Sequence, residues 1–220
     1  MTDNIEVMGI RLDCLTAKET MVRMMRFLED DSVDIIEILS MDVLMKNSED
    51  EQWRELVDGF GLVLPGEPEI LKAADIGDRT RLKEAENRTF LKLFIKYLQK
   101  NQKKVFLLAE TEEILNSAAE ALAGYSGGLR LTGRGILADD SREENVVNDI
   151  NGTETDCILS VLASPYQEQF IDRYKALLNA KIWFGCGAVF GGEQEKRFPI
   201  GRVKHFFRKR LFWWRAGKEQ

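Results

Sequence analysis

Apolar runs of strand length alternate with segments of helical periodicity along almost the whole chain, and few folds accept that alternation. The runs fall at residues 35–41, 61–64, 105–109, 129–132, 157–163 and 182–189. Between them lie helix-start signatures. Thr16 with Glu19, Ser48 with Glu51, and Ser141 with Glu144 each fit a capping box, in which hydroxyl and carboxylate satisfy each other's free backbone amides. Ser at 164, Pro at 165 and Gln at 167 read as N-cap, N1 and N3 of another helix, and a short helix is expected over 70–74. Thr111 is a further N-cap, opening a helix through Ala123, with Gly124, Gly127 and Gly128 turning the chain into the next strand. Repeated βα units predict an α/β fold with a mainly parallel sheet flanked by helices. No repeat or Pro/Ser-rich linker divides the chain. The expected organisation is one domain over 1–198 and a C-terminal amphipathic appendage over 199–220.

Charge separates those two parts. The chain carries 31 Lys and Arg against 37 Asp and Glu, a net −6. The last twenty residues hold seven of the basic residues and one acid, a local +6, which leaves −12 for the preceding two hundred. A body of that sign repels phosphate at long range, so nucleic acid is not an expected partner. His205 is the single histidine, which removes a histidine-rich metal site, and no metal is expected. Cys14, Cys157 and Cys186 are scattered, odd in number and set in apolar runs, as buried thiols in a reducing cytoplasm would be. No apolar run reaches the roughly 18 residues of a spanning helix, so a soluble or peripheral protein is expected.

Open parallel sheets bind ligands beyond the carboxyl ends of their strands. Four such ends carry unusual residues: Ser40 and Asp42 after the first run, Gly66, Glu67 and Glu69 after the second, Pro165, Gln167 and Glu168 after the fifth, and Gly185 and Gly187 within the sixth. Each set has two readings. Pro65 to Glu69 is either a turn with acids in the first turn of a helix, where the dipole favours them, or a source of a carboxylate base at a cleft. Ser164 to Glu168 is a helix start that needs no function, and equally a helix amino terminus able to meet a diphosphate. The glycines around 185–192 do not match the GxGxxG dinucleotide pattern.

The appendage has a pattern of its own. At 100° per residue, Val203, Phe206, Phe207, Leu211, Trp213 and Trp214 share one arc, with Arg210 inside it and Phe212 opposite. Arg202, Lys204, Arg208, Lys209 and Arg215 fill the other side. Aromatic rings at headgroup depth beside cations on anionic lipid suit an interfacial helix. The other reading is a helix docked on its own domain with a solvated basic face.

Taken in order, these segments resemble the WecG/TagA/CpsF family of bacterial glycosyltransferases. The similarity runs through Val7-Met8-Gly9-Ile10-Arg11-Leu12-Asp13, Leu62 to Pro65, Lys104 to Leu108, the Pro-x-Gln-Glu element at 165–168, Gly185 to Phe190 and the closing Arg-aromatic stretch. The resemblance implies a Rossmann-like core and metal-independent inverting transfer of a sugar, typically N-acetylmannosamine, from a UDP-sugar to a polyprenyl-diphosphate-linked N-acetylglucosamine in polysaccharide or teichoic-acid synthesis. UDP-sugar is then a substrate and no cofactor is needed. The resemblance also implies a peripheral protein on the inner face of the plasma membrane, held to an anionic surface by the appendage, and homo-oligomers in some members. It places Gln167 and Glu168 in the nucleotide-sugar element, makes Arg81 the motif arginine and Arg208 the counterpart of an appendage arginine.

Departures from the family pattern cluster at the strand ends. Gly66-Glu67 stands where the family has Asp-Gly, so Glu67 is the substitute base. Ser40 and Asp42 replace Thr and Asn, Glu84 and Glu86 replace a Gly-x-Asp pair, Ala109 and Glu110 replace two glycines, and Gly191 takes an Asp position. Two expectations follow: a divergent transferase using Glu67, or a non-catalytic homologue that binds nucleotide-sugar or lipid-linked glycan, or scaffolds an active paralogue.

Overall fold

The computed structural model describes residues 4–29, 31–125, 127–187, 209 and 211–217. An antiparallel hairpin opens the chain, β1 (Asn4–Val7) and β2 (Ile10–Asp13), turning through Met8 and Gly9, which both have positive φ, 55° and 70°. That is the two-residue turn whose twist matches paired strands. Helix α1 (Ala17–Phe27) leads to β3 (Asp34–Leu39), then α2 (Met41–Asn47), α3 (Glu51–Asp58) and β4 (Leu62–Pro65). Three helices follow, α4 (Pro68–Ala73), α5 (Arg79–Glu86) and α6 (Thr89–Lys100), then β5 (Val105–Ala109), α7 (Glu112–Tyr125) and β6 (Leu131–Ile136). The order closes with α8 (Glu143–Gly152), β7 (Cys157–Ser160), α9 (Tyr166–Tyr174) and β8 (Ile182–Gly185).

The six later strands form one sheet in the order β4-β3-β8-β7-β5-β6, with every described pairing parallel. This is the α/β, Rossmann-like architecture expected, and all six carboxyl ends share one edge. Both faces are covered. Ile36, Ile38, Leu62, Leu64 and Leu107 pack against α1, α6 and α7 through Met24, Phe94, Leu98 and Leu122. On the opposite face Phe106, Leu108, Ile158 and Trp183 meet α8 and α9 through Ile150 and Phe170. There too, Leu39 and Val63 meet the hairpin and α2 to α4 through Leu12, Leu44, Trp53 and Ile70.

Local sequence signals hold where tertiary contacts leave them alone. Thr16 and Glu19 form the complete capping box, and Thr111 Oγ accepts from Ile114 N at 3.3 Å. Elsewhere the structure corrects the expectation. Asp50, not Ser48, caps α3, because Ser48 closes α2 and is buried. Asp139 rather than Ser141 opens the turn before α8, its carboxylate accepting from Ser141 N and Oγ. Ser164 does not cap α9, whose N-cap is Pro165, because its hydroxyl is engaged by Trp53 Nε1 and Asn47 Nδ2, both at 3.0 Å. The bounds of several runs also shift: β3 stops at Leu39, where Ser40 caps α2, and β7 stops at Ser160, both short of the expected end, while β6 starts at Leu131 and runs past its expected end to Ile136. The short helix begins at Pro68, two residues earlier than expected.

The hairpin escaped the sequence reading because four-residue strands carry too little periodicity. It is held by Asp13, whose carboxylate accepts Val63 N–H at 2.9 Å and pairs with Arg23 at 3.1 Å.

Residues 211–216 are helical and lie against the domain. Phe212, placed by the helical projection away from the apolar arc, is the residue that docks: it is fully buried among the hairpin, α2 and α4 side chains. Lys209 pairs with Glu69, and Arg215 donates to the Met45 carbonyl and faces Glu49 at 3.4 Å. Those two cations were expected toward lipid; the structure commits them to the body because Glu69 of α4, the Met45 carbonyl of α2 and Glu49 just after α2 lie within reach. Leu211, Trp213 and Trp214 are 49%, 41% and 58% exposed. Phe206, Phe207, Arg208, Arg210, His205 and Gly191 lie outside the described residues.

Candidate active site

The carboxyl edge brings the predicted site residues together in three groups. At the ends of β3 and β4, Ser40 Oγ accepts Val43 N–H at 3.3 Å and Glu67 accepts Met41 N–H at 3.2 Å, so the Glu67 carboxylate lies across the start of α2 beside Asp42 in its first turn. Gly66 N donates to Leu39 O at 2.8 Å. A Cβ at position 66 would come within 2.8 Å of Leu39 O and 2.9 Å of Ile38 Cγ2. The backbone here therefore has no room for a side chain, which accounts for Gly in the slot where an Asp was looked for.

Arg81 and Gly66 line one cavity with Pro65, Thr20 and Glu84. Arg81 is buried, with Nε lacking a partner among the described residues, while its backbone N–H is capped by Asp78 at 2.8 Å. Glu84 accepts Ala17 N–H at 2.8 Å and so ties α5 to the start of α1. The cavity measures about 60 Å³, room for a few waters and far short of a nucleotide. Glu69 is turned away from it. Burial pushes its carboxyl up, but Lys209, its own backbone amide and Lys72 outweigh that and hold it below the ordinary value.

A larger cleft, about 790 Å³, opens at the ends of β5 and β6, lined by Glu110, Thr111, Leu137, Asp139, Asp140 and Tyr166. Here β5 runs on to β6 at one edge while β7 leads back toward β8, the kind of switch in strand order where open sheets take ligands. Its size is that of a ligand site. Glu110, in the place of a family glycine, accepts Ala163 N–H at 2.9 Å and fixes the segment between β7 and α9. Glu110 stands out in the sequence as a departure from the family pattern at a strand end, whereas nothing in the sequence marks Thr111, Asp139 or Tyr166 as a site residue.

The third group is buried between the other two. Gln167 Nε2 donates to both carboxylate oxygens of Glu37, at 2.8 and 2.7 Å, and Glu168 accepts from Ser164 Oγ at 2.7 Å. Gln167 Oε1 and Glu168 Oε2 are buried with no hydrogen-bond partner among the described residues. Burial pushes the Glu37 carboxyl well above the carboxylate range, and the Glu168 charge adds to the rise; burial raises Glu168 as well, against the pull of Ser164, its own amide, Trp53 and Lys46. Gly185 pairs in register with Glu37, and a Cβ there would overlap the Glu37 carboxylate. Gly187 lets the chain pass the Leu162 carbonyl, which a Cβ would approach to 2.7 Å. The sequence carries a signal for Glu37: an acid in the middle of Ile-Ile-Glu-Ile-Leu, a strand covered on both faces.

Among the described residues no cluster of His, Cys, Asp and Glu suits a metal ion, and no helix is long and apolar enough to cross a membrane. All three cysteines are buried free thiols.

The glycosyl transferase WecG/TagA/CpsF family matches residues 5–199, which spans the hairpin, the whole sheet and its helices. Among curated proteins, an N-acetylglucosaminyldiphosphoundecaprenol N-acetyl-beta-D-mannosaminyltransferase from Staphylococcus aureus (strain MRSA252) is 21% identical over 99% of this chain and 88% of its own length. The match takes in every described strand and each of the three groups at their carboxyl ends, and the chain therefore belongs to the WecG/TagA/CpsF family of glycosyltransferases.

Proposed function

We propose that the protein transfers a sugar, in the family manner N-acetylmannosamine, from a UDP-sugar to a polyprenyl-diphosphate-linked N-acetylglucosamine while peripheral to the inner face of an anionic membrane. The observation that carries the reading is the nucleotide-sized cleft at the switch in strand order. The Glu67 carboxylate and Arg81 stand at the β4 end of the same carboxyl rim, across β7, β8 and β3 from that cleft, where the sugar end of an extended donor would meet the acceptor. The family relative's named substrates, a lipid-diphosphate acceptor and an N-acetylmannosaminyl donor, support the choice of ligands.

In this reading Glu67 takes the proton of the acceptor hydroxyl as its oxygen attacks the anomeric carbon from the face opposite the diphosphate, inverting that centre. The C–O bond to the leaving UDP breaks as the new one forms. The amino terminus of α9, which has no side-chain cap and begins at the cleft, offsets the charge that develops on the diphosphate, a role that N–H groups can fill without a cofactor, while Arg81 stands with Glu67 at the β4 end. Leu211, Trp213 and Trp214 provide an apolar surface for the bilayer that carries the acceptor.

The test supplies radiolabelled UDP-N-acetylmannosamine and lipid-linked N-acetylglucosamine. Transfer by the native chain is expected to drop by roughly 10² to 10⁴ in Glu67→Gln. Equal rates in the two would remove Glu67 from the mechanism.

A specific observation also favours a second reading. The backbone at Gly66 excludes the side chain that the family motif places there, as it would in a homologue that binds nucleotide-sugar without turning it over. UDP binding with no transfer over a broad donor and acceptor panel would support it.

A further inference from the structure

The segment between β7 and α9 forms one wall of the nucleotide-sized cleft, and three contacts hold it. Glu110 accepts Ala163 N–H, Ser164 Oγ joins Trp53, Asn47 and Glu168, and Gln167 reaches into the sheet to Glu37. The third contact is the deepest. Glu37 and Gln167 are 4% and 2% exposed, and Gly185 has given up its side chain to admit the carboxylate. Tyr166, the residue before Gln167 in the first turn of α9, lines the cleft. Neighbouring helical residues project about 100° apart, so anchoring Gln167 inward sets the direction in which Tyr166 projects.

We propose that Glu37 is a positioning residue for the nucleotide-sugar cleft: by binding the Gln167 amide inside the sheet it fixes the rotation of α9 and so presents Tyr166 to the ligand. This rests on the reading of that cleft as the UDP-sugar site. It also assigns Gln167 to the interior instead of to direct contact with a base or sugar edge.

The proton on Glu37 belongs to the device. A neutral carboxylic acid and a primary amide can exchange two hydrogen bonds, acid O–H to amide oxygen and amide N–H to acid carbonyl, and a turn of the Gln167 amide that sets its oxygen opposite one carboxyl oxygen while its nitrogen keeps the other would satisfy the orphaned Gln167 oxygen. An ionised Glu37 can only accept, and it faces the Glu168 carboxylate from α9 and the Cys186 thiol after β8. The Lys46 ammonium of α2 is felt at Glu168, and none of the described charges acting on Glu37 is a cation. Burial raises Glu37 well above the carboxylate range, so the acid–amide pair persists to higher pH than an ordinary carboxyl would allow and is lost as pH rises through the shifted value.

The test is calorimetric titration of the full chain with UDP from mild acid to the alkaline range, for the native protein, Glu37→Gln and Glu37→Leu. Native affinity should fall several-fold as pH rises through the Glu37 transition. Glu37→Gln, neutral at every pH and still able to pair with Gln167, should bind UDP as the native protein does on the acid side of that transition and lose the alkaline fall. Glu37→Leu should bind about tenfold more weakly throughout. A native-like alkaline fall in Glu37→Gln, or native affinity in Glu37→Leu, overturns the proposal. Should Glu37→Leu fail to fold, the Glu37→Gln comparison decides alone. If no form binds UDP, the nucleotide-sugar reading fails, and infrared spectra of the unliganded protein still test the pair. A protonated-carboxyl band present in the native chain and missing in Glu37→Gln supports it, and its absence from the native chain overturns it.

Discussion

At position 66 a change of one residue type has a cause in the backbone around it. Leu39 O accepts the Gly66 N–H, and the same carbonyl, with Ile38 Cγ2, occupies the space a Cβ would need. Restoring the family residue with Gly66→Asp is therefore expected to cost about 1–3 kcal/mol, the usual penalty of forcing extra atoms into a packed site, and not to raise transfer. Urea denaturation reads the first effect and the radiolabel assay the second. Faster transfer by the variant would mean that the β4 end yields easily and that the packing at Gly66 is no obstacle. In the proposed mechanism the neighbouring Glu67 is the base, and its carboxylate is anchored by an N–H of α2, whose start is fixed by the Ser40 cap. The sequence showed both residue types but not this packing, because the contact partners, Ile38 and Leu39, lie in a different strand.

Among the elements, the tail helix separates two roles that its sequence runs together. Phe212, Lys209 and Arg215 hold it on the domain, and Leu211, Trp213 and Trp214 face outward. Phe212→Ala should remove about 3–5 kcal/mol of packing, visible as lower stability of the full chain. Paired substitution of Trp213 and Trp214 by Ala should cost less stability than Phe212→Ala, since both rings are exposed and Trp213 meets the docked Phe212 edge-on, while weakening co-sedimentation with anionic vesicles. Loss of vesicle binding in Phe212→Ala alone, with the tryptophan pair behaving as native, would assign the membrane surface to the wrong face. The strands were legible because fully apolar runs such as Val105 to Ala109 need nothing beyond themselves to be buried. Caps were legible only where no distant group competed: Thr16 kept its local partner, whereas Ser164 was claimed by Trp53 and Asn47, more than a hundred residues away in sequence. The orientation of the tail was hidden for the same reason, since the seat for Phe212 is built by the hairpin, α2 and α4 together.

For the whole molecule, the buried acids set the response of stability to pH. Glu37 and Glu168 have folded-state values raised by burial, so the folded chain binds more protons than the unfolded one above the ordinary carboxyl range. Stability contributed by these two groups is complete in acid and falls as pH climbs from the ordinary value toward the raised ones, by up to about 1.4 kcal/mol per pH unit for each acid within that window. Glu69 works in the other direction. Its value is lowered, net, by Lys209 and its helix amide against the push of burial, so its contribution is present above the ordinary carboxyl value and lost as pH falls through the depressed one. The native chain should accordingly be most stable in mild acid, with tail docking weakened on the acid side and the sheet weakened on the alkaline side. Urea midpoints measured over a pH series should show a decline from mild acid upward that Glu37→Gln makes shallower, because an amide at position 37 has no proton to lose. A Glu37→Gln curve parallel to the native one would show that the carboxyl at the centre of the sheet is not what couples folding to pH.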